Sequence, residues 1–165
     1  MSIARSVRHL FTTPGSVRRH FAAATLDRIE RAIATTEATH TGQIRFAIEG
    51  ALDGRALWTD QSAAARAIEV FSQLRVWDTE HNNGVLIYLL WADHDVEIVA
   101  DRGVHARVGR EGWEAVCRDM ETAFRAGRFE EGALAGVAAV GRLIGAHYPG
   151  DGAHSNELPD RPVVL

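Results

Sequence analysis

The sequence predicts an α/β fold, an αβα sandwich in which a small central β-sheet, including a β-hairpin, is flanked by helices on both faces. Two observations predict the sheet. Residues 84–91 and 96–100 are apolar runs separated by a short acidic bend, which is typical of neighbouring antiparallel strands. Ile44, Phe46 and Ile48 alternate with polar residues, which indicates a further, half-buried strand. A third observation is that amphipathic helical patterns surround these strands, so helices are expected to cover the sheet.

The first half of the chain is predicted to contain two helices around the first strand. Residues from about Ser16 to Thr39 carry an apolar stripe at helical spacing, so one continuous helix is expected there. After the first strand, residues 50–61 are predicted to form a loop. Ser62 is then expected to N-cap an alanine-rich helix that ends near Val76.

Two more helices are predicted after the hairpin. The first begins after the glycine-containing segment 109–112 and ends before Gly127, because glycine commonly terminates helices. The second runs from about Phe129 to His147. The resulting order, α, β, α, β, β, α, α, is the pattern of one sheet enclosed by helices.

Length and composition indicate a single domain and exclude several classes of protein. A chain of 165 residues with 46% hydrophobic content can form one core. We predict a domain at 16–148, an N-terminal extension at 1–15 and a flexible C-terminal tail at 149–165. The net charge of −4 argues against nucleic acid as a partner. No apolar stretch is long enough for a membrane span or a signal peptide, and the single cysteine, Cys117, excludes an internal disulfide, so a cytoplasmic location is expected.

Polar side chains lie on both sides of the predicted hairpin. Because the entry and exit of an antiparallel hairpin lie at the same end, residues 78–83 and 101–102 are expected to meet at one rim of the sheet. Carboxylate and amide oxygens suit a hard cation such as Ca²⁺ or Mg²⁺. The candidate cation ligands are Asp78, Glu80, Asn83 and Asp101. The candidate residues for binding phosphate or another ligand are Asn82 and Arg102.

A purely structural interpretation of the same residues is open. Asn, Asp and Gly before a strand commonly supply turn hydrogen bonds without any ligand. Arg102 can equally pair with Asp101 or Glu80. No catalytic constellation is evident from the residues, so whether the protein is an enzyme is left open.

Four segments together resemble the TPM domain family, which is named for its thylakoid, phosphatase and membrane-protein associations. They are EATHTGQIR at 37–45, RAIEVF at 66–71, WDTEHNNGVLIY at 77–88 and VEIVADRG at 96–103. The resemblance spans about residues 17–148, and its most specific part is the NGVLI strand followed by VEIV and a glycine turn.

This resemblance implies a TPM-like αβα sandwich with a divalent-cation site near the strand ends. The implied function is that of a binding or accessory module that acts with a membrane-associated protein, such as the LemA-type neighbours of bacterial members, and uses a divalent cation. Such a module would be cytoplasmic and peripheral to the inner membrane through its partner. The alternative is a metal-dependent, acid phosphatase-like phosphomonoester hydrolase.

The chain departs from the family pattern in two ways. Many members carry a secretory signal and a C-terminal membrane helix, for which this sequence shows no pattern. In addition, secreted members place further acids after the glycine turn, whereas here the next acid after Asp101 is Glu111. A cation site inherited whole is therefore not expected, and Asp78, Asn83 and Asp101 are the ligand positions that the resemblance still supports.

Overall fold

A computed structural model describes residues 3–150 and 155–165 of the chain. The described helices are α1 (Ile3–Phe11), α2 (Pro14–His20), α3 (Ala23–Glu37), α4 (Gly54–Trp58), α5 (Ala63–Gln73), α6 (Arg102–Val108), α7 (Arg110–Arg125) and α8 (Phe129–Gly145). The described strands are β1 (Gln43–Glu49), β2 (Gly84–Leu90), β3 (Asp95–Ala100) and β4 (Val163–Val164), and a single 3₁₀ turn, Trp91–Asp93, follows β2.

The four strands form one mixed sheet in the order β3, β2, β1, β4. β1 pairs in parallel with both β2 and β4, while β2 and β3 form the predicted antiparallel hairpin. The predicted hairpin is confirmed, with Val85 opposite Ala100 and Leu90 opposite Asp95.

Hydrophobic cores lie on both faces of the sheet. One core joins alternate residues of β1 and β2 to α3, α7 and α8, and the other joins the remaining residues of these strands to α4 and α5. All seven residues of β2 are buried, which explains why this strand is a continuous apolar run instead of an alternating pattern. The predicted α/β fold class, a sheet between helices, is confirmed.

Two predictions about the connections on either side of β1 were wrong. The expected continuous helix over Ser16–Thr39 is broken into α2 and α3, because Phe21 leaves helical geometry (φ −117°, ψ 62°) and buries its ring edge-on against Trp91 at a centroid distance of 5.8 Å. The expected loop at 50–61 contains α4, whose first turn is capped by the Asp53 side chain, which accepts a hydrogen bond from the Ala56 N–H.

Both ends of the described chain contact the domain. α1 lies against the 3₁₀ turn, to which it is joined through Asp93. Residues 155–165, within the segment predicted as a flexible tail, include β4, and the Gln43 side chain accepts hydrogen bonds from two of their backbone N–H groups. The predicted boundaries at 15/16 and 148/149 stay predictions. None of the helices in the described ranges is long and apolar enough to cross a membrane.

Candidate functional site

The structure places residues 78–83 and 101–104 side by side at one end of the hairpin. The Asp101 N–H donates to the Gly84 carbonyl at 2.8 Å, which continues the β2–β3 ladder beyond its last pair. The Val104 N–H donates to the Asn82 carbonyl at 3.3 Å. These bonds hold the start of α6 against the loop that leads into β2.

Close backbone approach fixes this loop. A Cβ atom on Gly103 would lie 2.6 Å from the Asn82 carbonyl oxygen, so only glycine fits at this contact. Asn82 itself is left-handed, with φ of 50°, a conformation that asparagine tolerates better than most residues. The turn conformation of asparagine and the close packing of glycine, which the purely structural interpretation predicts, are thus present and determine the shape of the rim.

Asp101 and Asn83 are buried and only partly hydrogen-bonded. Oδ1 of Asp101 accepts a hydrogen bond from the Arg102 N–H at 2.6 Å and caps α6. The sequence predicts a turn at this position, and the structure has a helix there instead. Nδ2 of Asn83 donates to the Thr41 carbonyl at 3.0 Å. Oδ2 of Asp101 and Oδ1 of Asn83 have no hydrogen-bond partner within the described part of the chain. Buried oxygens of this kind normally have a partner, which can be water or an ion.

The other two predicted cation ligands differ from Asp101 and Asn83 in their exposure to solvent. Asp78 and Glu80 are exposed, and the backbone N–H of Glu80 donates to the Glu157 carboxylate at 2.9 Å. Across residues 3–150 and 155–165, no group of three or more His, Cys, Asp and Glu side chains is placed to hold a metal ion. The three predicted carboxylates are therefore not gathered around one point, and the fit to a cation reduces to the two buried oxygens.

Beside the rim is an open cavity of about 750 Å³. Its lining consists of His81, Asn82, Arg102, Gly103, Arg107 and Tyr148. Both residues predicted to bind a ligand, Asn82 and Arg102, thus line the same cavity. Tyr148 was missed by sequence reasoning, because it follows α8 and no local pattern connects it with the hairpin.

The cavity is electropositive because its arginines lack acidic partners. Neither Arg102 nor Arg107 forms an ion pair with an acidic side chain among the described residues, so Arg102 does not take up the pairing with Asp101 or Glu80 that was an open alternative. The guanidinium carbon of Arg107 lies 5.2 Å from the centre of the Tyr148 ring, a cation–π distance. Two such guanidinium groups suit a carboxylate or a phosphate group.

A second polar cluster lies at the opposite end of β1 and β2. Arg66 contacts both carboxylate oxygens of Glu49, with Nε 2.8 Å from Oε2, and Tyr88 donates its hydroxyl proton to the same Oε2 at 2.6 Å. Burial, together with the hydrogen bond to Glu49, raises the pKa of the Tyr88 hydroxyl. Because its groups satisfy one another, this cluster ties α5 to the sheet.

The single cysteine does not offer a nucleophile. Burial, with the nearby Glu97 carboxylate, raises the pKa of the Cys117 thiol to about 12. The thiol is therefore protonated at neutral pH and packs from α7 against the core.

Comparison with known proteins identifies one family and one fold. The model of the TPM domain family matches residues 19–143. The BA42 protein from the psychrophilic bacterium Bizionia argentinensis is similar in structure, with a TM-score of 0.77 and 26% identity over 87% of this chain and 94% of that one. The N-terminal domain of a protein from P. gingivalis has a TM-score of 0.62 and 18% identity over 77% and 78% of the two chains, and it shows the fold alone. No curated protein matches the chain significantly.

Proposed function

This chain belongs to the TPM domain family, and we propose that it is a binding module whose arginine-lined cavity receives an anionic group of a membrane-associated protein. The observation that carries the proposal is that Arg102 and Arg107 line one open cavity and form no ion pair with an acidic side chain in the described ranges. The association with a membrane protein rests on the family alone, and the cytoplasmic position at the inner membrane is a proposal that combines this association with the sequence pattern.

Arg102 and Arg107 share one cavity, which distinguishes them from the other arginines that form no ion pair within the described residues. Several arginines elsewhere on the surface are instead held by a glutamate. Examples are the pairs Arg28–Glu130, Arg110–Glu114, Arg125–Glu121 and Arg128–Glu131. Two arginines that line one cavity without an acidic partner among the described residues support an external anion as their partner.

The geometry around the cavity favours a preformed site. Asp101 caps the first turn of α6, which carries both arginines, and Gly103 packs directly on the Asn82 carbonyl. The backbone on both sides of the cavity is therefore fixed by hydrogen bonds and close packing. A preorganised backbone lowers the entropic penalty of binding a ligand.

Binding is favoured over turnover because the cavity supplies charge and stacking but no visible nucleophile. His81 and Tyr148 are the lining residues that could move a proton. Neither His81 nor Tyr148 forms a hydrogen bond with an orienting carboxylate within the described part of the chain. The alternative, a phosphomonoester hydrolase, would use the same arginines to hold phosphate and is distinguished by the experiment below.

A divalent cation, Ca²⁺ or Mg²⁺, is a second candidate ligand of the rim. Its support is that two buried oxygens of the rim, Oδ2 of Asp101 and Oδ1 of Asn83, each lack a partner among residues 3–150 and 155–165. When bound, the cation would neutralise the Asp101 carboxylate next to the cavity. The exposed Asp78 and Glu80 would not be needed to hold it.

The proposal is tested by titrating the protein with inorganic phosphate and with acetate while recording amide chemical shifts. We expect saturable shifts at Gly103, Arg107 and Tyr148 that disappear in the double variant Arg102→Gln/Arg107→Gln. The matched control, Arg110→Gln/Arg118→Gln, removes the same charge from α7 and should leave the shifts unchanged. Absence of saturable shifts in the wild-type protein, or equal loss in both variants, would refute the proposal.

The same preparations separate binding from catalysis. Hydrolysis of p-nitrophenyl phosphate by the wild-type protein, abolished in Arg102→Gln/Arg107→Gln and retained in the α7 control, would identify the hydrolase instead. We expect phosphate-dependent shifts without hydrolysis.

A further inference from the structure

The N-terminal helix α1 presents its apolar face to solvent. Val7, Leu10 and Phe11 follow the i, i+3, i+4 spacing of one helix face. Leu10 is 75% exposed and Phe11 is 80% exposed, whereas amphipathic helices normally bury such a face. Contiguous exposed apolar residues of this kind mark an interaction surface.

The opposite, polar face of α1 is anchored to the domain. Arg5 and Arg8 both contact the Asp93 carboxylate, with Nε of Arg5 2.8 Å from Oδ2 and an Nη of Arg8 2.6 Å from Oδ1. Arg5 also donates to the Gln61 carbonyl at 2.9 Å. Asp93 therefore receives two guanidinium groups from one helix.

His9 fixes the rotation of the helix about its axis. Its Nδ1 accepts the Leu52 N–H at 3.0 Å, so its Nε2 carries the proton and lies 3.1 Å from the Asp93 carboxylate. The His9 side chain is fully buried. Rolling α1 over to bury Leu10 and Phe11 would break this bond and expose Asp93, so the outward apolar face is a built-in property of the fold.

A large aromatic side chain is also exposed on α4, whose flanking residues contact α1. Trp58, at the end of α4, is 82% exposed. The residues on either side of α4 touch α1, since Leu52 bonds to His9 while Asp60 and Gln61 bond to Arg5. Tryptophan is enriched where a protein meets the interface of a bilayer.

The charge around α1 favours an anionic partner for its exposed face. The first acidic residue of the chain is Asp27, and Arg18 and Arg19 of α2 are exposed without ion pairs to described acidic residues. Arg55 of α4 adds a fifth arginine to this region. Asp60 and Asp93 pair with Arg5 or Arg8, while Arg55 shares a cleft with Glu49, Asp53 and Glu69, and Arg19 shares one with Glu130 and Glu131. The segment that forms α1 and α2 itself carries four arginines and no acid, so its own charge is positive.

We propose that α1, with Trp58 beside it, is a docking surface for an anionic lipid bilayer, on which Val7, Leu10 and Phe11 enter the headgroup region and Arg18 and Arg19 contact lipid phosphates. Apolar residues on one side with arginines around them are the pattern of helices that lie in the membrane interface. This surface is separate from the arginine cavity at the hairpin rim and does not depend on it.

The test is co-sedimentation of the full chain with vesicles of phosphatidylcholine alone and of phosphatidylcholine mixed with phosphatidylglycerol. We expect binding to the anionic vesicles that is weakened at least about tenfold in Leu10→Ser/Phe11→Ser, since each change removes an apolar side chain from the interface. In Arg18→Gln/Arg19→Gln we expect a loss of roughly thirtyfold, because each basic residue near an anionic surface contributes about fivefold.

Controls make the result specific. Ile68→Ser removes another apolar side chain that is 59% exposed, on α5, and should leave vesicle binding unchanged. Arg102→Gln/Arg107→Gln should also leave it unchanged, which separates this surface from the anion cavity. The altered side chains of α1 are exposed, so thermal denaturation should show that the Leu10→Ser/Phe11→Ser variant is folded.

Three results would overturn the proposal. The first is no binding to anionic vesicles, and the second is equal binding by the wild-type protein and Leu10→Ser/Phe11→Ser. The third is a concentration-dependent dimer in gel filtration that becomes a monomer in this variant, which would make a second copy the occupant. A blue shift of tryptophan emission on anionic vesicles, lost in Trp58→Phe, would support the lipid surface.

Discussion

Replacing Glu37 by glutamine should remove the loss of stability that its ionisation causes as the pH rises from 5 to 8. Glu37 lies at the end of α3, is buried, and accepts the Ile44 N–H at 2.7 Å, at the start of β1. Burial raises the pKa of its carboxyl group from 4.5 to about 8, and the nearby Asp160 carboxylate adds to this effect, while Arg45 opposes it. The folded protein thus holds a proton on Glu37 at neutral pH that the unfolded chain releases.

The sign and size of the change in the free energy of unfolding follow from this difference in pKa. The stability associated with protonated Glu37 is fully present below pH 4.5 and is lost as the pH rises through about 8. Each pKa unit corresponds to about 1.4 kcal/mol, so the loss reaches at most about 5 kcal/mol. Glutamine keeps the oxygen that accepts the Ile44 N–H and carries no proton to lose, so Glu37→Gln should match the wild-type protein near pH 4.5 and exceed it increasingly up to pH 8.

The assay is urea denaturation of both proteins at several pH values between 4.5 and 8.5. Glu111→Gln, a change of an exposed glutamate on α7, is the matched control and should follow the wild-type curve. Parallel curves for the wild-type protein and Glu37→Gln over the whole range would show that Glu37 is not protonated in the folded state and would refute the reasoning.

Three further outcomes are expected. Gly84→Ala should lower the free energy of unfolding by more than about 3 kcal/mol, since the new Cβ would lie 2.0 Å from the Val76 carbonyl oxygen. Gly54→Ala, which has open space around it, should be nearly neutral in the same denaturation assay. Asp93→Asn should weaken the anchoring of α1 and accelerate trypsin cleavage within it, while cleavage elsewhere stays slow. Unchanged cleavage would contradict the conclusion that Asp93 anchors α1. Millimolar Ca²⁺ or Mg²⁺ should raise the melting temperature of the wild-type protein and not of Asp101→Asn, which keeps the helix cap and loses the charge; equal shifts would exclude Asp101 as a ligand.

β1, β2 and β3 were predictable because their signals are local, whereas β4 lies in the segment predicted as a flexible tail. β2 is apolar throughout since helices cover both of its faces, and the bend before β3 is marked by three polar residues in succession. The cap of α5 was equally local, and Ser62 accepts the Ala65 N–H as predicted. Each of these features depends on residues that are neighbours in the chain.

The features that sequence reasoning missed depend on tertiary contacts. The break at Phe21 arises because burying its ring beside Trp91 outweighs continuation of the helix. α6 was missed because Asp101 was interpreted as the end of a turn and a cation ligand, while it also caps a helix. Tyr148 reaches the cavity only through the packing of α8, which no spacing pattern in the sequence reports.

The pairing of β4 with β1 has a consequence for the order of folding. β1, β2 and β3 can pair among themselves, but the outer edge of β1 is covered only by residues far along the chain, as the bond between Gln43 and Leu158, 115 positions apart, illustrates. Closing so long a loop is slow compared with forming the hairpin. Folding should therefore pass through a three-stranded species whose β1 edge is open, and such an edge can recruit a strand from another chain. We expect that, at high protein concentration, the molecule is most prone to aggregate before β4 pairs with β1. In the same period it can exchange its C-terminal strand with a neighbour.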